Sequence, residues 1–345
     1  MSVFQSSEGK KTLALLSEFM SSPRKVVIVT HFNPDGDAMG STLGLAHFLK
    51  KKKHKVQIIT PNPWPGFIDW MPGLGMAVDF EHHEKKSRKN MSDAEIVFCL
   101  DFNHPARVGP LMEGALRGIK APMVVVDHHQ QPDTFAQYLF SDTTASSTCE
   151  MVFQYISALG EEGLVDEAIS SCLYTGMMTD TGSFRFASTT PATHLIAAEL
   201  LQRGCKHDEI HSHIFDNNSV GRMQLLGFCL SEKMMVLPEL HAAFISLRKD
   251  ELERFHYRKG DTEGVVNYPL SIEGIRLSAL FIEREEEIKI SFRSRGNIDV
   301  NKLARALFKG GGHINAAGAN TELSMDEAIS AFVQALHQNR ESFSA

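Results

Sequence analysis

The sequence predicts an α/β protein: an N-terminal parallel sheet with helices on both faces, a helical connector and a smaller C-terminal α+β domain. Short β-branched runs alternate with longer helical periods between residues 10 and 180. These runs are almost continuously apolar, as expected for strands buried between two layers of helices. Beyond residue 225 strands and helices follow one another in blocks, which indicates a second domain.

Four apolar runs are predicted to be the parallel strands, and each ends in polar residues: residues 25–30, 56–60, 96–101 and 123–127. Helical periods occupy five further segments: residues 10–20, 38–53, 105–117, 146–159 and 165–178. Trp64, Pro65 and Pro72 mark an irregular loop. Together these elements define a first domain over residues 1–185.

Residues 186–225 are predicted to be a helical connector, because Pro191 stands near the start of a helical pattern and the segment has no strand signal. Residues 226–345 form the predicted second domain. Its strands and helices are expected near four segments: strands at 234–248 and 275–294, and helices at 299–308 and 325–339.

Charge and cysteine content restrict the partners and the compartment. The chain of 345 residues has 35 Lys and Arg against 42 Asp and Glu, and its formal charge of −7 does not favour long-range attraction to a polyanion. We therefore expect no long duplex nucleic acid as a partner. The five widely spaced cysteines form no Cys-x-x-Cys pair, which is typical of buried thiols in the cytoplasm. No apolar leader or long apolar span is present, so we expect neither secretion nor contact with a membrane.

The first predicted strand runs directly into a turn that contains three potential metal ligands. His31, Asp35 and Asp37 lie in this Gly-containing turn, and a helical pattern follows. Ligands bind at the carboxyl ends of strands in open α/β sheets, and this spacing lets the side chains converge on more than one ion. The alternative is an Asn-Pro-Asp-Gly turn with an aspartate that only caps the helix.

Three further elements bring carboxylate or imidazole side chains to the same edge. Asp101 ends one strand, the triplet Asp127-His128-His129 ends the next, and Asp180 follows an apolar helix. Polar residues at strand ends are common, but repeated Asp and His at four elements favour a shared metal site.

These motifs resemble those of the DHH phosphoesterase superfamily, named after its Asp-His-His triplet, over nearly the whole chain. The turn at residues 31–37 resembles the first motif, Asp101 the second, the triplet the third and Asp180 the fourth. Residues 310–318 resemble the Gly-Gly-Gly-His signature of the associated substrate-binding domain. Length and signature are most similar to the NrnA-type subgroup of oligoribonucleases and pAp phosphatases, and less similar to the longer RecJ nucleases.

The resemblance implies two bound Mn²⁺ ions, which Mg²⁺ or Co²⁺ could replace. One ion is assigned to His31, Asp35 and Asp101. The other is assigned to four residues: Asp37, Asp101, His128 and Asp180. Asp101 then bridges the ions, and oxygen ligands mixed with imidazole suit manganese. The ions would activate a water for in-line attack on phosphorus.

Other residues are given roles beside the ions. The predicted catalytic residues are Asp101, Asp127, His128 and His129. For His129 the alternatives are phosphate contact, action as a general acid, or structural packing. Arg107 either contacts phosphate or stabilises its loop, and His104 is a weaker candidate for approach to the ions or to the substrate.

The C-terminal domain carries the predicted substrate contacts. Six Lys or Arg residues stand against one acid between residues 289 and 313. Glycine main chain can approach a phosphate without hindrance from a Cβ atom. With Arg107, the predicted substrate-binding residues are Arg293, Gly311, Gly312, His313 and Asn315. The alternative is an ordinary basic helix followed by a Gly-rich turn.

Three polar segments have simpler interpretations. Residues 143–148 either cap a helix or bind an anion at its N-terminus, and capping is preferred. His82 and His83 lie in a charged, solvated face, and His207 and His211 in a polar connector helix.

The resemblance implies a manganese-dependent phosphoesterase that hydrolyses short oligoribonucleotides to 5′-mononucleotides and 3′-phosphoadenosine 5′-phosphate (pAp) to AMP. The partners are short RNA or small nucleotides, and relatives of this kind can form homodimers. One alternative is a phosphodiesterase for cyclic di-AMP or its linear product pApA. Another is a nucleotide-binding protein without catalysis.

Overall fold

The structure is a computed structural model that describes residues 2–216, 218–258 and 260–338. Contacts divide the chain into two compact units, Met1–Asn217 and Asn218–Ala345. The first unit is α/β and the second is α+β, which confirms the predicted fold class.

The first unit is built on a parallel sheet. Its strands are β1 (Lys25–Val29), β2 (Lys55–Thr60), β3 (Ala77–Asp79), β4 (Ile96–Leu100), β5 (Met123–Asp127) and β6 (Tyr138–Ser141). They lie in the order β3-β2-β1-β4-β5-β6, and all neighbouring pairs are parallel. From β1 the chain adds β2 and β3 on one side of the sheet and then β4, β5 and β6 on the other. The carboxyl ends of β1 and β4 therefore flank a topological switch point, where open α/β sheets bind ligands.

Helices cover both faces of this sheet. The α-helices described in this unit are α1 (Ser7–Phe19), α2 (Gly36–Lys51), α3 (Phe80–Ser92), α4 (Pro110–Arg117), α5 (Thr148–Ala158), α6 (Glu167–Asp180), α7 (Pro191–Gln202) and α8 (His207–Phe215). Val26 and Ile28 of β1 belong to the core formed with α2, α5 and α6. Val27 and Val29 point to the opposite core, formed with α3 and α4.

Three elements of this unit were not predicted. The edge strands β3 and β6 have three and four residues, too few to show a clear apolar pattern. In α3, only Phe80, Ser87 and Met91 are buried among thirteen residues, so charged side chains hide its apolar face.

The second unit carries a mixed sheet. Its strands are β7 (Met234–Leu237), β8 (Ala242–Leu247), β9 (Leu277–Glu283), β10 (Ile288–Ser294), β11 (Lys309–Gly312) and β12 (Ala316–Thr321), and its described α-helices are α9 (Val220–Phe228), α10 (Lys249–Arg254), α11 (Val300–Leu307) and α12 (Met325–Gln338). The strand order is β11-β12-β10-β9-β8-β7, in which β8 and β9 are parallel and the other pairs antiparallel. The rings of Phe244, Phe281, Phe292 and Phe332 meet in its core. Residue 339, predicted to end the last helix, lies outside the described residues.

The segment predicted as a connector is divided between the units. Its helices α7 and α8 belong to the first unit, where Leu200 and Ile210 are buried in the core shared with α2 and α6. Residues 218–225, which include the start of α9, belong to the second unit.

The cysteines agree with the sequence analysis. All five are buried and free. None of the helices in the described part of the chain combines the length and the apolar character needed to cross a bilayer.

Candidate metal centre

The turn between β1 and α2 places His31 beside the carboxylate of Asp35. Asp35 is the N-cap of α2, and its Oδ1 atom accepts hydrogen bonds from the N–H groups of Asp37 and Ala38, both at 3.0 Å. The other oxygen, Oδ2, lies 3.9 Å from Nε2 of His31. Capping therefore occupies one oxygen of Asp35 and leaves the other facing His31.

Asp37 is buried, and the N-terminus of α5 holds its carboxylate. The N–H of Thr148 donates to Oδ2 at 2.7 Å, and the N–H of Cys149 donates to Oδ1 at 2.9 Å. Helix N-termini favour negative charge, since their N–H groups have no partner within the helix. The predicted cap is also present, because the Ser147 hydroxyl accepts a hydrogen bond from Glu150 N–H. The helix N-terminus thus binds the protein's own carboxylate.

Close packing of α2 against α6 brings Asp37 near Asp180. A Cβ atom at Gly40 would lie 2.5 Å from the carbonyl oxygen of Cys172, and one at Gly176 would lie 2.7 Å from Asp37 Oδ1. Glycine at these positions therefore permits the close approach of the helices. Asp180 ends α6 beside the start of α2.

Asp101 lies between two histidines. Its Oδ2 atom is 3.3 Å from Nε2 of His31, and its Oδ1 atom is 3.5 Å from Nε2 of His128. Its φ of 65° is unusual for a residue other than glycine, and such strained residues concentrate at functional sites. Burial alone would raise the pKa of Asp101, but hydrogen bonds from His128 and His31 outweigh it and hold this pKa well below its usual range. Asp101 therefore stays ionised.

His128 faces three carboxylates. Besides Asp101, its Nε2 atom lies 3.5 Å from Oδ2 of Asp180 and 3.9 Å from Oδ2 of Asp37. Burial would lower the pKa of His128, but the hydrogen bond to Asp101 and the nearby negative charges raise it well above its usual value.

Crowding perturbs the other ionisable groups of the site. Burial, followed by the charges of Asp101 and Asp180, raises the pKa of Asp37 well above its usual value. The pKa of Asp180 rises to about 7, chiefly through burial. Burial lowers the pKa of His31, yet its contacts with Asp101 and Asp35 outweigh this effect and raise it to about 9.

Asp127 orients His129. The buried carboxylate of Asp127 accepts from the N–H of His129 at 2.9 Å and contacts its Nδ1 atom at 2.7 Å. The histidine is partly exposed at the edge of the site, 3.8 Å from Asp101 Oδ1. A carboxylate in this position can fix the tautomer and the orientation of the imidazole ring.

The six side chains predicted as metal ligands, together with His129, form three overlapping groups. Within each group the potential ligand atoms lie within 4.8 Å of one another: His31, Asp35 and Asp101; Asp37, His128 and Asp180; and Asp101, His128 and His129. Asp101 belongs to two groups, and His128 also belongs to two.

The donor set fits divalent cations. Among the residues that the structure describes, every ion pair of these four carboxylates is made with a histidine, and no Lys or Arg compensates their charge. The raised pKa of Asp37, caused by burial and then by the charges of Asp101 and Asp180, shows that negative charge is crowded at this site. Carboxylate oxygens with imidazole nitrogens are ligands for manganese and similar ions.

Arg107 and His104 lie in the turn after β4. The main-chain oxygen of Arg107 accepts a hydrogen bond from Phe32 N–H at 2.7 Å, which ties this turn to the turn after β1. Its side chain is exposed. His104 instead caps its own turn through Ala106 N–H, lies 3.5 Å from Asp133 and, in the described residues, belongs to none of the three groups of potential metal ligands.

Apart from Arg107, the residues predicted to bind substrate lie at one end of the second sheet. Arg293 on β10 lies opposite Ala316 on β12, and the N–H of His313 donates to the Ala316 carbonyl. Asn315 secures a neighbouring turn, since its amide donates to Ser294 Oγ and to the Gly296 carbonyl. This role for Asn315 is structural in the described contacts.

The predicted Gly-rich turn is a hairpin strand. A Cβ atom at Gly310 or Gly312 would lie 2.5 Å from a carbonyl oxygen of β12, so these two glycines allow the strands to pair. Gly311 has more room, with Arg305 and Asn301 as its nearest neighbours beyond 3.4 Å.

The remaining histidine pairs have local contacts. Exposed His82 and His83 both contact Asp79 at the start of α3. In α8, His211 contacts the His207 carbonyl and Ser183 Oγ. In the described residues neither pair belongs to a group of potential metal ligands.

Sequence reasoning missed the contribution of Thr148 and Cys149 to the site. Both contact Asp37, which is more than a hundred positions away in the chain. The only available signal was the hydroxyl-rich segment before α5, whose capping interpretation gave no information about a distant carboxylate.

Two known domain families match this chain, one within the first unit and one within the second. A model described as the DHH family, N-terminal domain, matches residues 25–177, and a model of the DHHA1 domain matches residues 241–340. The first match ends just before Asp180, which the structure places in the cluster.

Similar proteins match over most of their length. The bifunctional oligoribonuclease and PAP phosphatase NrnA of Thermus thermophilus is 32% identical over 316 residues, which covers 91% of this chain and 89% of that protein. The protein of the same name from Bacillus subtilis is 30% identical, with coverage of 88% and 91%. A crystal structure of an exopolyphosphatase-related protein from Bacteroides fragilis is 37% identical and superposes with a TM-score of 0.94, covering 97% and 98% of the two chains.

Proposed function

Because this chain belongs to the DHH family of phosphoesterases, which are hydrolases, we propose that it hydrolyses short oligoribonucleotides to 5′-mononucleotides and pAp to AMP. The observation that carries this proposal is the convergence of four carboxylates and three histidines at the switch point of the sheet, without a Lys or Arg partner among the described residues. The names of the similar proteins from Thermus and Bacillus support the substrate class.

We assign two divalent cations to this cluster, with Mn²⁺ as the proposed ion and Mg²⁺ or Co²⁺ as replacements. His31, Asp35 and Asp101 would hold the first cation. The ligands proposed for the second are Asp37, Asp101, His128 and Asp180. Bound cations of this kind supply an activated water and neutralise charge on the phosphoryl oxygens.

The protein's own groups prepare the site for phosphate chemistry. Oδ2 of Asp101 faces His31 and Oδ1 faces His128, which suits a carboxylate that bridges two cations. Asp127 would orient the His129 ring, so that the ring can donate a proton to a phosphate or to the leaving oxygen. The exposed Arg107 side chain is proposed to contact phosphate.

The second unit is proposed to present the substrate through Arg293, Gly311, Gly312 and His313, with Asn315 supporting their turn. The formal charge of −7 supports a short substrate, because a long polymer would need many phosphate contacts to overcome repulsion.

Product analysis tests this proposal. The purified protein is incubated with pGpG, pApA, a five-nucleotide RNA, pAp and cyclic di-AMP, with Mn²⁺ or after chelation. We expect mononucleotides from the linear RNAs and AMP from pAp, both dependent on the added metal. Turnover restricted to cyclic di-AMP and pApA would instead establish a signalling-nucleotide phosphodiesterase, and binding without product would establish a non-catalytic protein.

A further inference from the structure

Thr148 contacts two of the carboxylates proposed as metal ligands. It is the first residue of α5 and is fully buried. Its hydroxyl donates to Asp101 Oδ1 at 3.0 Å, and its N–H donates to Asp37 Oδ2 at 2.7 Å. One residue thus contacts two of the three carboxylates proposed to bind the second cation.

From this geometry we propose that Thr148 is a positioning residue for the second cation, because its hydroxyl holds Oδ1 of Asp101, the oxygen that faces His128. This inference rests on the proposed function. Asp101 can bridge only if one oxygen faces His31 and the other faces His128. A carboxylate oxygen has two lone-pair sites, so Oδ1 can accept from Thr148 and still bind a cation.

The Thr148 hydroxyl is not the group that caps α5. Ser147, not Thr148, caps α5, since its side chain accepts from Glu150 N–H at 3.0 Å. The start of α5 is itself held in place: the buried Glu150 carboxylate accepts from Ser146 Oγ at 2.5 Å and from Thr193 Oγ1 at 2.8 Å. Loss of the Thr148 hydroxyl therefore leaves the helix start supported and releases Oδ1 of Asp101, whereas Oδ2 keeps its contact with His31.

The first cation depends less on Thr148. Its proposed ligands are His31, Asp35 and the Oδ2 atom of Asp101, and the structure gives no hydrogen bond from Thr148 to any of these atoms. A positioning role predicts selective loss of one of two binding events, whereas general destabilisation would weaken both.

The test compares Thr148→Val, which removes the hydroxyl at nearly constant shape, with Thr148→Ser, which keeps it. Free Mn²⁺ is measured by electron paramagnetic resonance during titration of the metal-free full-length proteins. We expect Thr148→Val to weaken the second binding event by about 10- to 100-fold and to leave the first within about threefold. Thr148→Ser should bind both ions as the parent does.

A matched control is Thr42→Val, which removes a buried hydroxyl that donates only to the Met39 carbonyl within α2. It should not change the titration. Melting of each metal-free variant establishes folding, and Thr148→Ala replaces Thr148→Val if the valine variant does not fold.

Parent-like binding by Thr148→Val would overturn the inference, and so would equal losses in Thr148→Val and Thr148→Ser, which would indicate packing by the methyl group. If the parent binds two ions and either of these results is obtained, the proposed function still stands. A parent that binds no Mn²⁺ would overturn both.

Discussion

At the scale of single residues, Asp101 has the largest number of roles. It is buried, it adopts a left-handed backbone conformation and it contacts His31, His128 and Thr148. Its pKa is held low while that of Asp37 is raised. Unlike Asp37, Asp101 therefore keeps its negative charge, which suits its proposed role as a bridging ligand.

Replacement of Asp101 should abolish turnover without unfolding the protein. Asp101→Asn is the preferred change, because asparagine tolerates the φ of 65° and conserves side-chain size. We expect phosphoesterase activity to fall at least about 100-fold, since both proposed cations lose a ligand. Initial rates on pAp and a five-nucleotide RNA measure the effect.

Asp326→Asn is the control for Asp101→Asn. Asp326 forms an exposed pair with Arg248 in the second unit, and its loss should leave activity unchanged. Parental turnover by Asp101→Asn would contradict the assignment of this site.

Metal affinity should increase with pH. The pKa of Asp180 is raised to about 7 and that of His31 to about 9, so both groups hold protons at lower pH and must release them to bind a cation. We expect the Mn²⁺ dissociation constant to fall at least about 10-fold from pH 6 to pH 8. Calorimetry in buffers of different ionisation enthalpy should also detect proton release, and a constant affinity over this range would refute the expectation.

At the scale of elements, the contact between α2 and α6 determines where two of the proposed ligands, Asp37 and Asp180, lie. Gly40 and Gly176 permit the helices to approach, and this approach puts Asp180 beside the start of α2. The N-terminus of α5 completes the arrangement by binding Asp37. Helix packing therefore contributes to the chemistry of the site as well as to stability.

Gly40→Ala should destabilise the protein by about 1–3 kcal/mol, because the new methyl group would overlap the Cys172 carbonyl at 2.5 Å. Urea unfolding monitored by circular dichroism measures this change. Separation of the helices should also weaken Mn²⁺ binding.

Gly114→Ala provides the matched control for Gly40→Ala. Gly114 lies within α4, and a Cβ atom there would meet nothing within 4 Å. The substitution should stabilise by up to about 1 kcal/mol through helix propensity. Equal effects of the two substitutions would argue against close packing at Gly40.

At the scale of the whole molecule, the net charge and the division into two units bear on which substrates the protein can bind. The proposed cation ligands all belong to the first unit, and the basic segment from Lys289 to Lys309 belongs to the second. The net charge of −7 opposes the binding of long polyanions, and the basic residues proposed to contact substrate in the second unit lie in one short segment.

Activity should therefore decrease with RNA length. We expect kcat/KM to fall at least about 10-fold from a three-nucleotide RNA to a 24-nucleotide RNA, since additional phosphates find few cationic partners. Rates measured at low and moderate salt test this explanation. Equal kcat/KM for both lengths, with a steep salt dependence, would indicate an extended RNA-binding surface.

The sequence by itself determined the fold class and the candidate ligands. Continuous apolar runs specify buried parallel strands, and Asp or His at their carboxyl ends must meet at one edge of the sheet. His31, Asp101 and His128 could therefore be assigned before any coordinates were known. The α3 helix and the β11–β12 hairpin could not, because a charged surface and glycine-rich strands carry little local pattern.

Tertiary structure alone decided how the ligands are oriented. The bonds from Thr148 and Cys149 to Asp37, and from Thr148 to Asp101, connect residues far apart in the chain. Such contacts depend on how closely helices pack, and sequence periodicity describes only which face of each helix is buried. One oxygen of Asp35 caps α2 and the other faces His31. This arrangement depends on the rotation of the side chain, which only the folded environment determines.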